Sequence, residues 1–122
     1  SRLYLVNEDI QQITRDHSLV EEMVRLGQLA KEEARTHFKK NIITRAVGTD
    51  KSVRTDIFEY NYSPGDVMII CSDGLSTMLD DNRILEIIKS KKTSEDTVNS
   101  LIAAAKDEGG LDNITVICIR FI

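Results

Sequence analysis

The alternation of apolar and polar positions changes period several times along the chain, and each change predicts an element. Arg2-Leu3-Tyr4-Leu5-Val6 is short and β-rich, Asn7-Glu8-Asp9 is turn-like, and Ile10-Gln11-Gln12-Ile13-Thr14 returns as a second strand, so the opening reads as a hairpin. Ser18 with Glu21 three residues on forms a capping box. Leu19, Met23 and Leu26 then recur at helical spacing, and Gly27 supplies the left-handed stop. A more polar helix is predicted from Leu29 to about Thr36. His37 to Ser52 shows no sustained period and reads as a loop with a short extended piece.

The second half is more apolar. Val53 to Tyr62 alternates enough to predict a strand, and Ser63-Pro64-Gly65-Asp66 is a tight turn. Val67-Met68-Ile69-Ile70-Cys71 is a continuous apolar run, as in a strand buried on both faces. Ile84, Leu85, Ile87 and Ile88 lie on one stripe of a helix over Asn82–Ser90, with Asp81 as its N-cap. Val98, Leu101, Ile102 and Ala105 line the next helix, which Thr93 or Ser94 caps and Gly109-Gly110 ends. Asn113 to Phe121 is a long β-branched strand. The predicted order is β-β-α-α-β-β-α-α-β, an α+β pattern of one domain without repeats or linkers.

Composition narrows the class. The 122 residues are 41% hydrophobic and 30% charged, with a net charge of −4, ordinary for a soluble domain. No clustered Lys and Arg mark a nucleic-acid surface; Lys89, Lys91 and Lys92 read as a solvated helix end. No apolar run approaches the ~20 residues that span a bilayer, and no signal peptide is visible. The chain opens on Ser1-Arg2 without an initiator Met, as a fragment would. Cys71 and Cys118 sit inside apolar runs, so they read as buried core thiols in a reducing, cytoplasmic setting.

Chemistry concentrates at Asp73 and Asp112. Asp73 follows the most buried strand and Asp112 precedes the other strongly apolar one. If those strands are antiparallel neighbours, both carboxylates occupy one rim of the sheet. Close carboxylates repel unless a cation lies between them, and oxygen ligands without Cys or convergent His favour Mg²⁺ or Mn²⁺ over Zn²⁺. The bland alternative is that each Asp merely serves a turn. His17 and His37 read as local structural residues, since neither has a second His at metal spacing. Ser1, Ser18, Ser72 and Ser76 have no His partner at a triad spacing, so nucleophilic serine chemistry is not indicated. No P-loop is present. Lys39-Lys40 and Arg45 could attract a phosphate, against the simpler reading of a solvated loop.

An ordered series of motifs adds to this. Ser1-Arg2-Leu3-Tyr4-Leu5, Thr14-Arg15-Asp16-His17-Ser18-Leu19-Val20, Asn41-Ile42-Ile43-Thr44-Arg45-Ala46-Val47-Gly48, Pro64-Gly65-Asp66, Cys71-Ser72-Asp73-Gly74-Leu75 and Asp112-Asn113-Ile114-Thr115-Val116 follow one another over nearly the whole chain. Together they resemble the second half of the metal-dependent protein serine/threonine phosphatases, the type 2C class, and its bacterial members in particular. The resemblance implies the C-terminal part of an α/β/β/α sandwich, two antiparallel sheets with helices outside, and a flap over residues 27–44. It implies a site of two or more Mn²⁺ or Mg²⁺ ions with Asp73 and Asp112 as ligands, a metal-activated water attacking phosphoserine or phosphothreonine in a protein, and no further catalytic residue in this chain. It further implies a cytoplasmic signalling enzyme opposing a serine/threonine kinase. The family's first-half metal segment and phosphate-holding Arg are absent from this stretch. The fragment alone is therefore expected to be inactive, and to dimerise, swap strands or join the missing half through exposed sheet surface. The alternative is a non-catalytic pseudophosphatase or regulatory interaction module; the presence of both carboxylates favours the enzyme.

Overall fold

The opening hairpin forms as its pattern predicts. In the computed structural model, which describes residues Ser1–Ile122, β1 spans Arg2–Val6 and β2 spans Ile10–Gln12. The remaining elements are α1 (Leu19–Arg25), α2 (Lys31–Ala34), β3 (Val67–Cys71), α3 (Asp73–Ser76), α4 (Asp81–Ser90), α5 (Ser94–Asp107) and β4 (Val116–Arg120). The architecture is α+β, with one antiparallel four-stranded sheet of order β2-β1-β3-β4. Two compact units divide the chain, Ser1–Thr14 with Glu59–Ile122, and Arg15–Phe58.

The first unit holds the sheet and its core. Register pairs Tyr4 with Ile69 and Ile69 with Cys118, so these side chains share one face. That face packs on Leu75, Leu79, Ile84, Ile87, Ile88, Leu101 and Ala105 from the helical segments. Each fully buried large aliphatic contributes about 1.5–3 kcal/mol relative to exposure; Ile84 and Leu101 are at 0% exposure. Tyr4 is also fully buried, and Arg2 Nη1 donates to its hydroxyl at 2.9 Å. Burial holds the Tyr4 phenol well above its ordinary titration range, against the opposing pull of Arg2.

Leu3, Leu5, Met68, Ile70, Ile117 and Ile119 form the opposite face of the sheet, as the alternation of strand side chains requires. Strand β3 therefore does not lie buried on both faces. Its burial alternates, with Met68 and Ile70 only half-buried. Ile117 and Ile119 are 51% and 40% exposed on β4, an edge strand.

Local chemistry sets the helix ends. Asp80, one residue before the predicted cap, accepts from Arg83 N at 2.8 Å, and α4 starts at Asp81. Thr93 caps α5 by accepting from Asp96 N at 3.0 Å. Gly109 N and Gly110 N then donate to the carbonyls of Lys106 and Ala105, closing α5 with a paired cap. Arg120 Nη2 reaches across to the Lys91 carbonyl at 2.9 Å and Thr97 Oγ1 at 2.8 Å, tying β4 to the α4–α5 connection.

In the second unit, Ser18 Oγ accepts from Glu21 N at 3.2 Å and starts α1. Gly27, at φ 76°, ends it, with Gly27 N and Gln28 N donating to Val24 and Met23 carbonyls. The polar helix is a single turn, shorter than the predicted Leu29–Thr36, because Ala30 offers no side-chain cap and no residue of α2 is buried.

Three further expectations are corrected. Val53–Tyr62 is not a strand: it pairs with nothing, and Val53, Ile57, Tyr60 and Tyr62 are exposed, so no core selects its alternation. The observed order is thus β-β-α-α-β-α-α-α-β. The extra helix is α3, where Asp73-Gly74-Leu75-Ser76 make one helical turn instead of a simple turn. The last strand runs only over Val116–Arg120, because the Ser72 hydroxyl engages the Asn113 carbonyl and the Thr115 amide just before it.

Candidate metal centre

The antiparallel register decides where the two carboxylates lie. Cys71 at the end of β3 pairs with Val116 at the start of β4. The residues just beyond, Asp73 and Asp112, therefore emerge at the same rim of the sheet. Hydrogen bonds fasten this rim. Ser72 N donates to the Thr115 carbonyl at 3.0 Å, Thr115 N donates to Ser72 Oγ at 3.0 Å, and Ser72 Oγ donates to the Asn113 carbonyl at 3.3 Å.

Gly74 completes the clamp from the other side of Asp73. A Cβ on Gly74 would lie 2.0 Å from the Asn113 carbonyl oxygen and 2.8 Å from its carbon. Only glycine permits that approach. Asp73 is thus flanked on both sides by residues that touch Asn113, the chain neighbour of Asp112. Asp73 itself opens α3, and Asp112 Oδ1 accepts from Asn113 N at 2.7 Å, which orients its carboxylate.

Both carboxylates are exposed. No group of three or more His, Cys, Asp or Glu side chains forms a metal cage in the chain. The rim therefore carries two carboxylates and no sulfur or imidazole, the donor chemistry that Mn²⁺ or Mg²⁺ prefers.

The other singled-out residues have local partners. His37 stacks on Phe38 with ring centroids 4.6 Å apart, and its Nδ1 accepts from Lys39 N at 3.1 Å. Lys39 Nζ lies 5.5 Å from the Phe38 ring centroid. Arg45 pairs with Asp56 at 2.9 Å, and His17 pairs with the other Asp56 oxygen at 2.8 Å. Cys71 is buried, as expected, whereas Cys118 is only half-buried because β4 lies at the sheet edge. Sequence reading missed Gly74 and Ser72 as clamp residues and Asp56 as a partner of His17 and Arg45. Only the Ser-Asp-Gly context hinted at the first two, and no pattern marked the third.

The whole chain has close relatives. It is 42% identical over 121 residues to the serine/threonine phosphatase stp of Listeria innocua, covering 98% of this chain and 48% of that protein. It superposes on the Streptococcus agalactiae serine/threonine phosphatase with a TM-score of 0.93 at 40% identity, over 100% of this chain and 51% of that one. The catalytic domain of the serine/threonine protein phosphatase PstP, solved in complex with two manganese ions, matches with a TM-score of 0.79 at 33% identity, over 97% and 48%. No family model matches. Along nearly its whole length the chain is thus similar to one half of PPM-type serine/threonine phosphatases, the class that the ordered motifs resemble. It spans about half the length of the curated relatives it matches.

Proposed function

We propose that this chain is the C-terminal portion of one phosphatase catalytic domain, with residues 27–44 as its flap. The complete domain hydrolyses phosphoserine and phosphothreonine in proteins. The observation that carries the reading is the rim on which the β3–β4 register and the Ser72–Gly74 clamp set Asp73 beside the Asp112–Asn113 turn. Asp73 and Asp112 are the metal ligands this chain contributes, holding Mn²⁺ or Mg²⁺ in a centre of two or more ions. Such ions, when bound, supply an acidified water and charge stabilisation on the phosphoryl oxygens. The clamp limits movement of both carboxylates, which favours a fixed geometry over a floppy acidic loop.

The substrate is a phosphoprotein, and the enzyme opposes a serine/threonine kinase in bacterial cytoplasmic signalling. Neither cysteine is in a disulfide, and no helix is long and apolar enough to cross a membrane. Two carboxylates alone leave the metal shell incomplete, so the 122-residue chain by itself is expected to be inactive. Assays with and without Mn²⁺ on p-nitrophenyl phosphate and a phosphothreonine peptide test this. The complete protein should turn over both only with the metal, and the isolated chain neither. Metal-dependent turnover by the isolated chain would contradict the division of the site, and none by the complete protein would favour the pseudophosphatase.

A further inference from the structure

Segment 37–58 poses a physical problem, because it keeps a defined path without a core. None of its residues is buried, and only His37, Arg45 and Asp56 are even half-buried. Its apolar side chains face outward, with Ile43, Val47 and Ile57 at 68%, 90% and 85% exposure. Apolar burial therefore cannot specify this path. One isolated antiparallel bridge, Ser18 to Ile43, is the sheet-like pairing available to it.

The half-buried polar groups fill that role. We propose that Asp56 is the positioning residue of the Arg15–Phe58 unit, a carboxylate clasp on His17 and Arg45 that sets the path of segment 43–56 and the pocket within it. Arg45 Nη1 donates both to Asp56 Oδ1 at 2.9 Å and to the Arg54 carbonyl at 3.1 Å, so one nitrogen closes the loop. Asp56 Oδ2 meets His17 Nε2 at 2.8 Å, and an ionised carboxylate only accepts, so that ring nitrogen carries the proton. His17 is fixed in turn, its carbonyl accepting from Thr44 N at 2.9 Å. Two points of the chain, 39 and 11 residues before Asp56, thus meet on its carboxylate. The loop they close surrounds a pocket of about 380 Å³, lined by Thr44, Arg45, Thr49, Ser52 and Arg54 among others.

Both clasp contacts are charge-assisted, since the acceptor is an ionised carboxylate, and the donor is also charged in the case of Arg45, the stronger kind of hydrogen bond. They also hold Asp56 in its ionised form. The hydrogen bond from His17, then that from Arg45, lowers its pKa to about 2. A carboxyl depressed below its unfolded value of ~3.9 contributes stability above that pH and loses it as pH falls toward the folded value. The clasp therefore holds at neutral pH and releases only in strong acid.

Limited trypsin digestion of the complete protein, read by mass spectrometry, tests the clasp. Cleavage after Arg54 needs its carbonyl, which Arg45 holds. Asp56→Ala should speed cleavage after Lys51 and Arg54 at least tenfold while sites in α4 and α5 keep their rates. Asp56→Glu, which retains the charge, should recover much of the resistance. Unchanged cleavage in Asp56→Ala, equal acceleration at all sites, or no recovery with Glu would overturn the proposal. Should the Ala variant not fold, an NMR titration of the wild-type Asp56 carboxyl decides. A midpoint near 2 that rises in Arg45→Met supports the clasp, and a midpoint at the ordinary carboxylate value rejects it.

Discussion

A methyl group on Gly74 would lie 2.0 Å from the Asn113 carbonyl oxygen, with no flexible side chain in the way to yield. The backbone itself must move to accept Gly74→Ala. Over-packing of this kind costs about 1–3 kcal/mol, with more expected where the obstacle is main chain. The displaced residues are Asn113 and Ile114, so Asp112 moves with them. The variant should lower the urea midpoint and weaken Mn²⁺ binding together in the complete protein. A variant with an unchanged midpoint and unchanged metal affinity would remove Gly74 from the account. Ser72 acts in the same clamp through its hydroxyl, which both donates to Asn113 and accepts from Thr115.

Elements are held by polar ties as well as by apolar faces. Thr97 is fully buried on α5, donates its hydroxyl to the Thr93 carbonyl at 2.7 Å and accepts from Arg120 at 2.8 Å. Arg120 Nε is already buried without a partner. Thr97→Val keeps the shape but strips another contact from that guanidinium, at a cost of about 1–3 kcal/mol. Thermal unfolding measures it, and an unchanged midpoint would mean that water or Lys91 compensates.

The elements also differ in how legible they are. The β1–β2 hairpin, α1, β3, α4 and α5 follow from period, caps and turn residues, because local preference and burial agree there. Val53–Tyr62 does not follow, since its alternation meets no sheet edge and Asp56 engages Arg45 and His17 instead. The placement of Asp73 and Asp112 is legible from their positions at strand tips, whereas the contact of Gly74 with Asn113 is a tertiary fact with no local period. The motif series, read in order, carries the family where single motifs would not.

At the scale of the molecule, the sheet has one face packed under helices and one apolar face with exposed Ile117 and Ile119. β4 also presents an unpaired edge. Such surface invites association. Alone and concentrated, the chain should scatter light as a dimer or larger species, well above its 13.8 kDa, and Ile117→Lys with Ile119→Lys should return it to monomer. A wild-type monomer under those conditions would count against this reading of the open face.

The central claim is that Asp73 and Asp112 together hold catalytic metal. Its most direct test is Mn²⁺-dependent hydrolysis of a phosphothreonine peptide by the complete protein carrying Asp73→Ala or Asp112→Ala. Each substitution should reduce turnover by at least a hundredfold, on the order expected for loss of a metal-bound nucleophile's support. Wild-type rates in both variants would contradict the claim.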